Sequence, residues 1–384
     1  MIPVHGRIFA RVFFLLGLGW TLWLGWPGLY PSRGEAMSPP LEKNQVKSVT
    51  WLMDKAGRLD WAADPKGRIA FDSRGPDGYY DVYVAQPDGS NRVCLTCDRA
   101  GQVPQKHNGN PAWHPSGRFL VFQAEKAVHP ADSSASSPGA GLWCDLWLAT
   151  DDGKKFYQLT DLPVDQAQGV LHPHFSHDGK KLLWSERIRG FRQAENFGEW
   201  AIKVADFSFD GEPRLTNVRA FQPGERRMWY ETHGFSPDDR LILFAGDVQQ
   251  GQSIEGMDVC TFDPASGKLT NLTSSKESWD EHAHFSPGGD RIAWMSSQGL
   301  PGRGTIPWAE YMKWLSTELW IMNPDGSNKQ RVTHFNEPGH PMYSGGRAIV
   351  GDGDFSKDGK KYAVLVNVMK PGSWEERLAL VEFE

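Results

Sequence analysis

The stretch HFSPGGDRIAW (284–294) is one of six copies of a motif that decides the fold. Each copy has an aromatic residue, a short polar segment, a turn at Gly or Asp, and an apolar strand. The other copies are WAADPKGRIAF (61–71), AWHPSGRFLVF (112–122), HFSHDGKKLLW (174–184), GFSPDDRLILF (234–244) and DFSKDGKKYAV (354–364). Gly and Asp tolerate the positive φ angle of tight hairpin turns. Each copy therefore predicts two short antiparallel strands.

A second motif follows each of the first five copies and predicts a second hairpin. In DVYVAQPDGSNRVCLT (81–96), for example, apolar residues alternate on both sides of an Asp-Gly turn. Two hairpins per repeat make a four-stranded unit, which is one blade of a β-propeller. The sixth repeat ends with a third strand, RLALVEFE (377–384), and VKSVTWLM (46–53) is a strand without a partner. Pairing these two would close the ring and cover an exposed edge. The sequence thus predicts an all-β, six-bladed β-propeller of four-stranded blades over residues 46–384, closed by its N-terminal strand.

The N-terminal residues have the pattern of an export signal. Two arginines precede an uncharged run (12–32), and small residues before Ala36 predict cleavage after that position. The run is also long enough to cross a bilayer as an uncleaved anchor. We therefore expect residues 1–36 to be a signal peptide or membrane anchor and residues 37–45 to be a linker. The propeller would be periplasmic or otherwise extracytoplasmic, and held at the inner membrane if the leader is retained.

Export changes the interpretation of the four cysteines. Cys94 and Cys97 form a C-L-T-C sequence, whereas Cys144 and Cys260 are isolated. A zinc site of four cysteines would need a second close pair. An oxidising compartment favours disulfides, for which Cys94, Cys97 and Cys144 are the candidates, and several connectivities stay open. A thioredoxin-like redox role would need a strand-to-helix context, and the flanking residues indicate strand and turn.

Histidines and carboxylates precede the aromatic residue of the first motif in several repeats. These residues begin the innermost strands, which line the central channel of a propeller, so we expect them to converge near one mouth of the channel. Imidazoles and carboxylates directed at one axis suit a divalent metal ion or an anionic ligand. The predicted ligand-binding residues are His172, His174, Glu231, His233, Glu281, His282, His284, Asp352 and Asp354. The metal-ligand candidates among them are His172, His174, His282 and His284. Each histidine taken singly could instead form a hydrogen bond to a neighbouring blade.

The pattern FSPDGKK…LW…DGS…LT in these repeats resembles the TolB-like, or WD-related, β-propeller repeats of exported bacterial envelope proteins. The resemblance covers nearly the whole chain after the leader, and it implies a fold rather than a function. Residues 37–45 leave no room for the α/β domain that precedes the propeller of TolB, so we expect a family member other than TolB itself.

Other motifs restrict the function. The net charge is −6, which argues against a nucleic-acid partner. The sequence has no G-x-S-x-G motif, which argues against the serine peptidases that carry a similar propeller. The leading hypothesis is an exported scaffold module of the cell envelope that binds a protein or glycan without catalysis.

A second hypothesis rests on residues 338–355 and 171–176, which are loosely similar to oligogalacturonate lyases. These are propeller enzymes that hold a metal ion with histidines. That resemblance implies His172, His174 and His340 as metal ligands, and Arg227 or Arg347 as the partner of a uronate carboxylate. The alternative function is therefore a metal-dependent enzyme acting on an acidic saccharide.

Overall fold

The computed structural model describes residues 44–129, 133–164, 168–189, 198–226, 228–275, 277–300 and 314–384. These residues form six antiparallel sheets of four strands each, arranged as the blades of a propeller. The predicted signal or anchor lies outside the described residues. Within them, no helix has the length and apolar character needed to cross a membrane.

The blades follow one another along the chain, and each begins with its innermost strand. Blade 1 contains β2 (Leu59–Trp61), β3 (Ile69–Arg74), β4 (Tyr80–Ala85) and β5 (Val93–Cys94). Blade 2 contains β6 (Asn108–Trp113), β7 (Phe119–Glu125), β8 (Cys144–Thr150) and β9 (Phe156–Gln158). Blade 3 contains β10 (Gly169–Phe175), β11 (Lys181–Arg189), β12 (Glu199–Asp210) and β13 (Glu212–Phe221).

The second half of the ring repeats this order. Blade 4 contains β14 (Tyr230–Phe235), β15 (Ile242–Gly246), β16 (Asp258–Phe262) and β17 (Leu269–Asn271). Blade 5 contains β18 (Asp280–Phe285), β19 (Ile292–Ser296), β20 (Glu318–Met322) and β21 (Gln330–Arg331). Blade 6 contains β22 (Arg347–Phe355), β23 (Lys361–Lys370), β24 (Ser373–Phe383) and β1 (Val46–Asp54). Short 3-10 turns occur at Ser133–Ser136 and Ile254–Gly256.

The N-terminal strand closes the ring, as predicted. β1 pairs antiparallel with β24, so that Val46 lies opposite Phe383 and Asp54 lies opposite Arg377. The Met53 side chain is 3% exposed and packs in the core of the closing blade. Since β1 comes from the opposite end of the chain, this pairing completes the sixth sheet and covers the edge of β24. The core cluster that contains Met53 also includes residues of blade 1, so it packs the first blade against the last.

The inner strands of blades 2 to 6 all carry a β-bulge close to the aromatic residue of the first motif. Their pairing with the next strand shifts register between Gly109 and Ala112 and at the equivalent positions of β10 and β18, one residue later in β14 and one residue earlier in β22. Within these bulges, Asn110, His172 and His282 have φ angles of 49°, 46° and 50°. A bulge re-aims a side chain, so the same irregularity in five blades changes what faces the channel.

Two aspartates join neighbouring blades, and each lies one residue before the aromatic residue of the first motif, which we call the conserved aromatic because all six repeats have it. The backbone N–H of Trp113 donates to Asp60 Oδ2 at 2.6 Å, and that of Trp61 donates to Asp354 Oδ2 at 2.9 Å. Asp354, which the sequence analysis grouped with the ligand-binding residues, therefore holds blade 1 against blade 6.

The cysteines are only partly as expected. Cys94 and Cys97 form a disulfide, whereas Cys144 and Cys260 are buried free thiols. The candidacy of Cys144 as a disulfide partner is wrong because it lies in the interior of another blade. There its thiol faces the Ser136 carbonyl oxygen at 3.4 Å, away from the pair in blade 1.

A candidate metal centre in the central channel

The channel is lined by two sets of inner-strand positions. The first set lies three residues before the conserved aromatic of each blade and contains Arg58, Asn110, His172, Thr232, His282 and Asp352. The second set lies one residue before that aromatic and contains Asp60, Ala112, His174, Gly234, His284 and Asp354. Both sets belong to the inner strands or, for Arg58, to the residue just before one.

Four side chains of blades 3 to 5 converge at the bulges. His172, Glu231, His233 and His282 each offer one ligand atom, and these atoms lie within 4.8 Å of one another. Nε2 of His172 is 2.8 Å from Oε1 of Glu231, and Nδ1 of His282 is 3.6 Å from the same oxygen. The ring of His233 lies 5.6 Å from that of His172 and 5.5 Å from that of His282, measured between centroids. We call these four residues the histidine cluster.

Several polar atoms of the histidine cluster are buried without a hydrogen bond. His172 Nε2, Glu231 Oε1, His282 Nδ1 and His233 Nδ1 have no hydrogen-bond partner among the described residues. The short distance between His172 and Glu231 does not have hydrogen-bond geometry. Buried polar atoms are nearly always satisfied in native proteins. Atoms that face one another without bonding are what ligands of a common cation show, so the donor set fits a metal ion.

Burial keeps the imidazoles of the cluster neutral. Removal from water lowers the pKa values of His172 and His282 to about 4, and it holds that of His233 well below its ordinary value. Neutral imidazole is the form that binds metal. His172 and His282 are therefore ready to act as ligands at neutral pH. Nε2 of His233 accepts a hydrogen bond from the backbone N–H of His282 at 3.2 Å, which would have to break before that nitrogen could bind a metal ion.

Two glutamates at the edge of the cluster share a hydrogen bond. Burial raises the pKa of Glu231 to about 7, and burial together with the charge of Glu231 raises that of Glu281 to about 8. Trp279 Nε1 donates to Glu281 Oε2 at 2.8 Å and fixes the orientation of that carboxyl. The pair can hold or release a proton near neutral pH.

The carboxylate of Asp352 pairs with His284, which is not a member of the histidine cluster. Its Oδ1 lies 2.9 Å from Nε2 of His284. Burial opposes protonation of His284, but the bond to Asp352 and the charges of Asp352, Asp354 and Asp60 together outweigh burial and raise its pKa. His233, His284 and Asp352 also form a second group with ligand atoms close enough for a metal ion. Because His233 belongs to both groups, it links the two sets of channel positions.

The predicted residues are brought together, but inside the channel rather than at its mouth. Of the four metal-ligand candidates, His172 and His282 belong to the histidine cluster. His174 and His284 lie next to each other, with ring centroids 5.8 Å apart, and line a second cavity of about 180 Å³. Burial lowers the pKa of His174 to about 3. The assignment of these residues to a metal stays a prediction.

A cavity of about 210 Å³ opens on the other side of the histidine cluster. Glu231 and His282 line it, so a metal ion held by the cluster would be reachable from this side. Glu281 and Arg58 also line its polar end.

Arg58 was not among the site residues predicted from the sequence, although its position in the repeat indicates it. It lies three residues before Trp61, which is the position of His172, His282 and Asp352 in their own blades. Burial by itself lowers the pKa of Arg58, but the carboxylates of Asp72, Asp352 and Glu231 outweigh this and hold it above its ordinary value.

Of the residues implied by the lyase resemblance, His172 belongs to the histidine cluster, whereas His340 and Arg347 have other partners. His340 stacks on His334, with ring centroids 4.2 Å apart. Arg347 donates to the Leu315 carbonyl oxygen. Arg227 lies outside the described residues.

Comparisons with known proteins support the fold alone. No family model matches the chain. The uncharacterized peptidase YuxL of Bacillus subtilis (strain 168) is 23% identical over 46% of this chain, and the match spans only 29% of that protein. TolB from Acinetobacter baumannii has a TM-score of 0.49 and 17% identity, over 82% of this chain and 63% of that one. An oligogalacturonate lyase from Vibrio parahaemolyticus has a TM-score of 0.48 and 12% identity, over 87% of this chain and 93% of that one. The chain is thus similar to TolB and to other β-propeller proteins.

Proposed function

We propose that this propeller binds one divalent transition-metal ion in its channel and a small acidic ligand next to that ion. The histidine cluster would hold the metal. The observation that carries the proposal is the set of buried ligand atoms that converge without hydrogen-bonding one another. The imidazoles of His172 and His282 and the Glu231 carboxylate suit ions such as Zn²⁺ and Mn²⁺, and His233 would complete the set once its bond to the His282 backbone is broken.

This arrangement favours the metal-dependent enzyme among the two functions predicted from the sequence. A divalent ion, when bound, supplies a Lewis acid for an oxygen atom of the ligand. The Glu231–Glu281 pair lies beside the cavity and can hold or move a proton there, and Trp279 orients Glu281. The arrangement therefore suits acid–base chemistry on an acidic small molecule. The acidic saccharide predicted from the sequence is one member of that class.

Metal content tests the proposal directly. Purified protein should contain close to one equivalent of a transition metal by elemental analysis, and chelator-stripped protein should bind Zn²⁺ or Mn²⁺ in a calorimetric titration. The double variant His172→Ala/His282→Ala should lose this binding. His177→Ala is the matched control, because His177 is half exposed on a turn and pairs with Asp239 outside the cluster. If the wild-type protein binds neither metal, the proposal is wrong.

A scaffold module that binds an envelope protein or glycan is the second candidate. Its support is the exposure of Trp314 and Trp374, which are 57% and 51% accessible. Exposed tryptophans are typical of protein and glycan contact surfaces. Binding on a glycan array that survives chelation and is lost in Trp314→Ala would favour this candidate over the metal-dependent enzyme, because Trp314 is not among the residues that line the cavity beside the histidine cluster.

An extracytoplasmic location is part of the proposal. The leader pattern of residues 1–36 and the Cys94–Cys97 disulfide support it, since disulfides persist in oxidising compartments. Fractionation should place the propeller outside the cytoplasm, and at the inner membrane if the leader is not cleaved. Intact chain with Met1 in the soluble cytoplasmic fraction would contradict this.

A further inference from the structure

The cavity beside the histidine cluster has one polar end and mostly apolar walls. The walls are formed by Trp229, Met257, Trp279, Met295, Leu315 and Ile349. The indole N–H of Trp279 is already engaged by Glu281. Among the described lining residues, Asn367 is the one side-chain amide. A sugar buried against such walls would leave hydroxyl groups without partners, which costs free energy.

The polar end offers a cation. The Nε atom of Arg58 is buried and has no hydrogen-bond partner among the described residues. Its guanidinium lies against Gly139, where an added Cβ would come within 2.2 Å of Nη2. A guanidinium pairs with a carboxylate through two parallel hydrogen bonds. Since Arg58 lines the cavity, an acidic group that entered it would meet this guanidinium.

The charge of the cavity limits the ligand to one negative charge. Glu231 and Glu281 line the same space as Arg58. A second anionic group on the ligand would lie close to these carboxyls in a medium of low dielectric constant and be repelled when the pair has released a proton.

The size of the cavity limits the ligand to one ring. An engineered apolar cavity of about 150 Å³ binds benzene, and drug-sized ligands need about 300 Å³ or more. At about 210 Å³, the cavity lies between these values. It has room for a ring and a short acidic arm.

We propose that this cavity binds a small aromatic monocarboxylate, with its carboxylate at Arg58 and its ring between Trp229 and Trp279. The inference deepens the proposed function by naming the ligand class of the same site. It rests on the proposed function for the role of the metal ion, but the contacts with Arg58 and the tryptophans do not require that ion. It also departs from the acidic saccharide, because the walls are apolar.

The experiment compares ligands that differ in one property each. Calorimetric titrations of the full chain, as purified and after chelation, would use phenylacetate, the neutral phenylacetamide, the dianionic phenylsuccinate and the polar monoanion galacturonate. Phenylacetate should bind at least about tenfold more tightly than the other three. The amide lacks the charge that pairs with Arg58, the dianion places a second charge beside Glu231 and Glu281, and galacturonate buries hydroxyl groups against apolar walls. Arg58→Gln should abolish this preference over phenylacetamide. Arg74→Gln, at an exposed arginine of the same blade, is the matched control.

A cavity-filling variant provides a second test. Met257→Trp should remove phenylacetate binding while the metal content and the melting temperature stay near those of the wild type. If galacturonate binds more tightly than phenylacetate, or if Arg58→Gln leaves phenylacetate affinity unchanged, the inference is wrong. Metal binding without any binding of phenylacetate would overturn the inference and leave the proposed function standing. If phenylacetate binding depends on Arg58 but the protein binds no metal, the inference stands and the proposed function is wrong.

Discussion

Replacing His172 by glycine should destabilise the metal-free protein less than replacing it by alanine. His172 has a φ angle of 46°, in the left-handed region. That conformation costs a residue with a Cβ atom about 1–2 kcal/mol. Glycine avoids this cost but loses about 0.4–1 kcal/mol through the greater freedom of the unfolded chain. Both variants remove the imidazole, so the difference between them reports the backbone, and the glycine variant should be more stable by about 0.5–1 kcal/mol.

His174 provides an internal control two residues along the same strand. It is not among the residues with positive φ, so there the alanine variant should be the more stable one, by about 0.4–1 kcal/mol. His282 and His284 form a second pair of the same kind in blade 5, since His282 has a φ angle of 50° and His284 is not in the left-handed region. The sign of the glycine–alanine difference should thus reverse between the two members of each pair.

The assay is urea denaturation in the presence of a chelator, followed by tryptophan fluorescence. Each glycine variant is compared with the alanine variant at the same position, so errors of extrapolation largely cancel. If alanine is the more stable residue at all four positions, the left-handed bulges do not exist in solution. If glycine is the more stable residue at His172 and His282 but alanine is at His174 and His284, then two histidines are kept at a strained backbone position. Such strain is typical of functional sites.

Three further predictions concern closure, pH and the thiols. Deleting residues 46–53 should lower the melting temperature strongly because the sixth blade loses an edge strand and its apolar face, and unchanged melting would contradict ring closure. Burial lowers the pKa values of His172 and His282 from 6.5 to about 4. Below pH 6.5 the unfolded chain therefore binds more protons than the folded protein, and the metal-free protein loses stability as the pH falls from 6.5 to 4. The variant His172→Ala/His282→Ala should lose less unfolding free energy over this pH range than the wild type, by on the order of 3 kcal/mol per histidine. If urea denaturation shows the same pH dependence for both proteins, the imidazoles are not buried in neutral form. Cys144 and Cys260 are buried and burial raises both thiol pKa values, so a thiol reagent should detect two thiols only after unfolding.

Local patterns were sufficient to predict the blades. The turn residues and alternating apolar positions of each repeat lie within a dozen neighbours along the chain, and they specify hairpins without reference to the rest of the molecule. The unpaired segments at 46–53 and 377–384 then left one pairing that closes the ring, and β1 and β24 form it. The strands also indicated which residues line the channel, because the inner strand comes first in every repeat.

What only the tertiary structure decided is how those channel residues divide. A sequence motif gives the same weight to His172 and His174, but His172 lies within the bulge of their strand and His174 follows it. His172 faces Glu231 in the histidine cluster, whereas His174 lines the second cavity. Asp354 was indistinguishable from Asp352 in the sequence, yet one accepts a backbone hydrogen bond from blade 1 and the other faces the histidines. Such differences depend on contacts between blades that are 50 to 300 residues apart in the chain. Local periodicity carries no information about those contacts, so the six blades follow from the sequence and the site within them follows from the closed ring.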